Sequence, residues 1–168
     1  MQAGAIYNKN DMTLTNNTLE HNTAPEGGAI NNWNSRLTLN NNTHAYNNAT
    51  QYGGAICNND HVNMTLNNNT FTYNNAVNGG AIYNNYFINM TLNNNTFTYN
   101  NAANGSAIYN NNNANIILTN NTLSYNNATN QGGAIYNNDH VDMTLNNNTL
   151  SYNNASEGGV IFNNYFLV

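Results

Sequence analysis

The chain has 168 residues, 39% of them hydrophobic, with two Lys or Arg against seven Asp or Glu and a formal net charge of −5. With Lys9 and Arg36 as the only basic side chains it cannot neutralise many phosphates, which argues against nucleic-acid binding and against anionic membrane surfaces. No run of 18 apolar residues is present to insert into a bilayer, and the single cysteine, Cys57, excludes an internal disulfide or a thiolate metal cluster.

Fifty of the residues are asparagine, a composition that by itself suggests a low-complexity segment. Periodicity argues for order instead. In chain order, the first apolar segment is centred on Ile6 of AGAI, and its isoleucine recurs at Ile30, Ile56, Ile82, Ile108, Ile135 and Ile161, at spacings of 24, 26, 26, 26, 27 and 26. The second segment is Met12/Leu14, recurring as Leu37/Leu39, Met64/Leu66, Met90/Leu92, Ile116/Leu118 and Met143/Leu145. The third is Leu19, then His44, Phe71, Phe97, Leu123 and Leu150. Segments this short, with this alternation, predict three short strands per turn of about 26 residues. About six to seven such turns, stacked at the strand spacing, make an all-β parallel solenoid with residues 1–168 as a single repeat array.

Alternation assigns the faces. In MTL the outer residues are apolar and the middle one is threonine in most copies, as expected of a strand with one buried face. The predicted core ladder is Ile56, Ile82, Ile108 and Ile135, with Leu66, Leu92, Leu118, Leu145, Phe71 and Phe97. The position after each isoleucine accepts Tyr7, Asn31, Cys57, Tyr83 and Phe162, so it is expected outside, with Cys57 in a tyrosine slot. The column from Ala24 to Ala155 is expected at a tight corner and the paired glycines at the remaining turn. An amide has both donors and an acceptor, so stacked asparagines can bond upward and downward. The predicted asparagine ladders are Asn68, Asn94, Asn120 and Asn147, and Asn74, Asn100, Asn126 and Asn153.

A longer period overlies the short one. NNDHV occurs at 58–62 and 137–141, and NNYF at 84–87 and 163–166, both pairs 79 residues apart; NNWNSRL at 31–37 aligns with NNNNANI at 110–116. This marks a duplicated three-turn block whose variable segment follows the GAI strand, a place where solenoids carry binding loops.

GGAI at 27, 53, 79 and 132, with FxxN at Phe71–Asn74 and Phe97–Asn100, resembles the repeats of chlamydial polymorphic outer-membrane proteins. The chain is similar also to Asn-rich adhesin-like surface proteins of methanogenic archaea. The resemblance spans nearly the whole chain and implies a right-handed β-helix on a cell surface, used for adhesion or as a stalk. Leu123 and Leu150 replace the phenylalanine, His44 breaks its column, and AGAI, GSAI and GGVI vary the other motif.

Many β-helices cleave polysaccharides, with clustered carboxylates or carboxylates and calcium. The nearest constellation here is Asp60 and His61, repeated as Asp139 and His140 with Asp142 nearby; these last three are weak candidates for a metal contact. They read as polar loop residues copied with their block, so no catalytic residue and no cofactor is expected. The tyrosines at 46, 73, 99, 125 and 152 form a file that either supports the ladder or grips sugar rings or a neighbouring fibre. Trp33, Tyr86, Phe87, Tyr165 and Phe166, in the variable segment, are the first choice for contact residues, and Asn63, Asn89 and Asn104 are the expected glycan acceptors, at turns. The first and last turns carry no capping helix or charged turn, so they are expected to be covered by other copies or by more of a longer array. The expectation is a non-enzymatic extracellular or cell-surface fibre, stalk or adhesive shaft whose partners are other copies of itself and glycans or a cell surface; the alternative is a polysaccharide-binding or polysaccharide-cleaving β-helix. The opening MQAGAIYNKN has no secretory-signal pattern, so a targeting signal is expected elsewhere.

Overall fold

The structure, a computed structural model, describes residues 3–164. Its regular structure is all β, running from Ile6–Asn8 to Ile161–Asn163, and the strands pair in parallel with the equivalent strand one turn away. The result is a parallel β-solenoid of about six turns.

One turn shows why these residues make this shape. Ile82–Asn93 is a strand bent at Phe87 (φ 53°); Asn94 (φ 56°) turns the chain into Thr96–Thr98. Tyr99 (φ 56°) turns it into Asn101–Asn104, and Gly105 (φ 57°) closes the circuit. In this turn a single left-handed residue forms each corner. The run at Asn101–Asn104 is a fourth strand beyond the three apolar segments; it carries only Ala102 inward, which is why hydrophobicity alone does not reveal it. In the turn before, Asp60 and His61 are both left-handed (φ 57° and 49°), and the long strand is split into Ile56–Asn59 and Asn63–Asn67.

At the remaining corner glycine is required. Gly53 has φ 64° and a Cβ there would collide with the Ile56 carbonyl, while one on Gly54 would strike the Gly80 carbonyl of the next turn. Ser106 takes the second glycine's place in one turn and donates its hydroxyl to the Gly133 carbonyl.

Ile82, Met90, Leu92 and Phe97 are buried and sit in register on Ile56, Met64, Leu66 and Phe71. Ile108, Ile116, Leu118 and Leu123 continue the columns above them, and Ile135 above Ile108. Each such side chain contributes roughly 1.5–3 kcal/mol on burial, and only because neighbouring turns cover it on both sides. Leu145 keeps its register on Leu118 but is 38% exposed against 0%, because no complete described turn lies over it.

The position after the isoleucine, expected outside, is inside in four of the described turns, while Tyr109 and Phe162 are half-buried and Tyr7 is exposed. Asn31 and Cys57 are fully buried and Tyr83 and Tyr136 nearly so. The segment leading to each glycine folds back over this face: Tyr52 packs on Tyr83 with ring centroids 4.6 Å apart, and Asn31 Nδ2 donates to Glu26 Oε2 at 3.2 Å. Burial, and then the charge of Glu26, push the Cys57 thiol well above its ordinary pKa.

Candidate functional site

The asparagines divide into corner residues and ladder residues. Asn68, Asn94, Asn120 and Asn147 are the left-handed corners (φ 54° to 56°) and point outward. The buried ladder is the next column, Asn42, Asn69, Asn95 and Asn121. The expected column carries one rung, Asn147 Nδ2 donating to Asn120 Oδ1 at 2.7 Å on the surface, and the buried ladder lies one residue further on, because a left-handed residue interrupts the strand alternation on which the expectation rested. Asn74, Asn100 and Asn126 do form a buried ladder, with Asn153 half-buried on it.

Asn100 shows what each rung does. Its Nδ2 donates to Asn126 Oδ1 at 3.0 Å and to the Phe71 carbonyl at 3.0 Å, and its backbone N–H donates to Asn126 Oδ1 at 3.1 Å. Its own Oδ1 accepts from the Asn74 side chain and backbone, both at 3.0 Å. One amide thereby satisfies its own groups and the backbone of a bent corner in the turns on either side. A third buried ladder, Asn32, Asn58, Asn84 and Asn110, went unassigned, although its unbroken column after GAI was visible in the sequence; Asn84 Nδ2 donates to Asn110 Oδ1 at 2.7 Å.

At the second left-handed corner of each turn stands a ring. His21, Tyr46, Tyr73, Tyr99, Tyr125 and Tyr152 stack with centroids 4.9–5.2 Å apart and interplanar angles of 2° to 12°. A bulky residue with positive φ is uncommon, and here the stacking contacts on both sides offset its strain. The file is half-exposed, so it is both ladder support and surface. Its rings cover one another's faces. Along the shaft it offers only ring edges and hydroxyls, and the gap between neighbours is too thin to admit a sugar ring.

The variable segment builds a groove of about 570 Å³ along the main sheet. His61 and Phe87 stack in it at 4.7 Å, and His140 and Asp142 lie at its far end. Asp60 Oδ1 is hydrogen-bonded to His61 Nδ1 at 2.7 Å, whereas Asp139 Oδ1 approaches His140 Nδ1 to 2.8 Å without hydrogen-bond geometry. Asp139, His140 and Asp142 are on one strand, but among the described residues no three His, Cys, Asp or Glu side chains are grouped to hold a metal.

Of the proposed contact residues, Tyr86 and Phe87 are exposed, while Trp33 is half-buried with its indole N–H unpaired. Tyr165 and Phe166 lie outside the described residues.

Comparison with protein-family models, curated proteins and solved structures finds no match to this chain.

The sequon asparagines also differ from expectation. Asn63 and Asn89 are exposed in strands rather than turns, joined by an Asn89 Nδ2 to Asn63 Oδ1 bond of 3.0 Å. Asn104 is half-buried, bonded to Asn78 at 2.9 Å, and the serine of its sequon, Ser106, is fully enclosed.

Proposed function

We propose that this chain is a non-enzymatic structural element of the extracellular space or cell surface, a β-solenoid shaft that serves as a fibre, stalk or adhesive rod and grows by stacking turn on turn. The observation that carries the reading is the unbroken register of the described turns: Ile6 to Ile161 stack one on the next, as do the columns from Met12 to Met143 and from Leu14 to Leu145, so the surface each turn offers is the one the following turn needs. A further turn in the same register, from the same polypeptide or another copy, would meet matching columns and a matching strand edge. The near absence of charge supports this, since little electrostatic repulsion opposes contact between such ends. The GGAI and FxxN resemblance supports the surface location. The Asp–His pairs support a non-enzymatic reading, because each acid lies against the histidine that follows it and the two pairs stand three turns, roughly 14 Å, apart.

Sedimentation velocity over a range of concentrations, with negative-stain microscopy, tests the proposal. Expected are rods of constant width whose length grows with concentration, and shortening in Ile161→Lys with the central turns still folded by circular dichroism. A chain that stays monomeric at every concentration, with both end turns protected from hydrogen exchange, would overturn growth by end-to-end stacking.

A further inference from the structure

The groove contains a gap in an otherwise aromatic column. The left-handed residues of successive turns are His61, Phe87, Asn113 and His140, with φ of 49°, 53°, 50° and 49°, so the backbone presents all four side chains alike. His61 and Phe87 stack at 4.7 Å. His140 has the same left-handed backbone as His61 and, like it, lies close to the preceding carboxylate, 2.8 Å against 2.7 Å. The ring column therefore misses one member, at Asn113, whose Nδ2 turns aside to Asn112 Oδ1 at 2.7 Å. The column beneath shrinks in the same turn: Ala114 stands in register between Ile88 and Val141. Both substitutions remove volume at one place, and the space lies between the Phe87 and His140 positions, two strand spacings or about 9.5 Å apart.

From this geometry we propose that the gap at Asn113 is a binding slot for one neutral pyranose ring. A ring placed midway lies at the same separation from Phe87 as His61 does, so the slot is one ring thick. A pyranose has apolar C–H faces, which suit the Phe87 and His140 rings, and a rim of hydroxyls. The rim of the slot supplies polar groups that are not already engaged. Asn89 is bonded to Asn63 below, but neither the Asn115 amide nor the Asp142 carboxylate makes a side-chain hydrogen bond to a described residue, and both line the groove. The nearby Asp139 and Asp142, in a chain of net charge −5, disfavour uronates and other anionic sugars. A purely apolar ring would leave the amide and carboxylate desolvated without partners. The slot is on the side of the shaft and needs no second copy, so it goes beyond the stacking proposal and stands apart from it. It opens the second three-turn block immediately after Phe87 closes the first, so a longer array of such blocks repeats it every three turns, roughly 14 Å, a spacing suited to multivalent capture of a glycan surface.

Saturation-transfer NMR and titration calorimetry on the full chain test this, with methyl β-D-glucopyranoside, methyl β-D-galactopyranoside and N-acetylglucosamine as probes and p-cresol as a planar aromatic control. At least one sugar is expected to bind at millimolar concentration, with transfer strongest to its C–H protons. Asn113→Phe, a residue tolerated at the same backbone angle in the turn before, and Ala114→Ile, which copies Ile88, are each expected to abolish binding with circular dichroism unchanged. Phe87→Ala is expected to weaken it about tenfold. No transfer to any of the three sugars, transfer that persists in both filled variants, or tighter binding of p-cresol than of the sugars would each overturn the proposal, the last in favour of an aromatic side chain as occupant.

Discussion

Replacing His44 should stabilise the protein, and by an amount that grows as the pH falls. His44 occupies the column of Leu19, Phe71 and Phe97; it is fully buried and its ring stacks on Phe71 at 4.7 Å and 5°. Neither Nδ1 nor Nε2 has a hydrogen-bond partner, which costs about 1–3 kcal/mol at neutral pH. Burial also lowers its pKa from 6.5 to about 3. Above pH 6.5 the imidazole is neutral in both folded and unfolded chains and proton binding adds nothing. Between 6.5 and about 3 the unfolded chain takes up a proton that the folded chain refuses, so stability falls by about 1.4 kcal/mol for each pH unit and by up to about 5 kcal/mol in all, then levels off. His44→Phe abolishes both costs, while the carboxylates titrate alike in the two proteins and cancel in the comparison. The assay is urea unfolding followed by the fluorescence of Trp33, the only tryptophan and in the same turn as His44, which reports that turn even if a repeat array unfolds in stages. Expected is a gain of about 1–3 kcal/mol at pH 7 that widens steadily below pH 6.5. A difference that does not change between pH 7 and pH 4, or a loss of stability in both His44→Phe and His44→Leu, would refute the reasoning.

Four other outcomes follow from the ladders, the corners and the buried groups. Asn100→Leu strands the Phe71 carbonyl and the Asn74 backbone N–H, removes one of two partners from Asn74 Nδ2 and from Asn126 Oδ1, and thermal unfolding should show a loss of about 3 kcal/mol, whereas Asn94→Gly at an exposed left-handed corner should be neutral or stabilising by up to about 1 kcal/mol. Cys57 should not react with a thiol-specific disulfide reagent in the folded protein at pH 8 and should titrate as one thiol per chain in denaturant, because burial both shields it and holds it protonated. Expressed in a glycosylating secretory host, the protein should carry glycan at Asn63 or Asn89 and none at Asn104, as read by peptide mass spectrometry, because Ser106 is enclosed and bonded to the next turn.

The repeat alone determined the turn length, the parallel stacking and the core, because each apolar column recurs at a fixed interval and strand alternation is reliable within segments as short as Met90–Leu92. It determined, too, that asparagine columns would carry the corners, and the pair Asn74 and Asn100 was read correctly. What only the tertiary structure decided lies at the corners and across turns. A left-handed residue at Asn94 breaks the period of two, so the inward amide is Asn95, and no count along the chain reveals which of three consecutive asparagines takes that conformation. Cys57 and Tyr83 are buried by a segment that returns from the preceding part of each circuit, a contact their own alternation does not encode. The tyrosine file is plain in the sequence, but that its rings hide one another's faces depends on a 5.0 Å stack seen only in three dimensions. The slot at Asn113 is the same kind of feature: NNNNANI shows smaller residues in one turn, and only the stacking of that turn between Phe87 and His140 converts them into a space one ring thick.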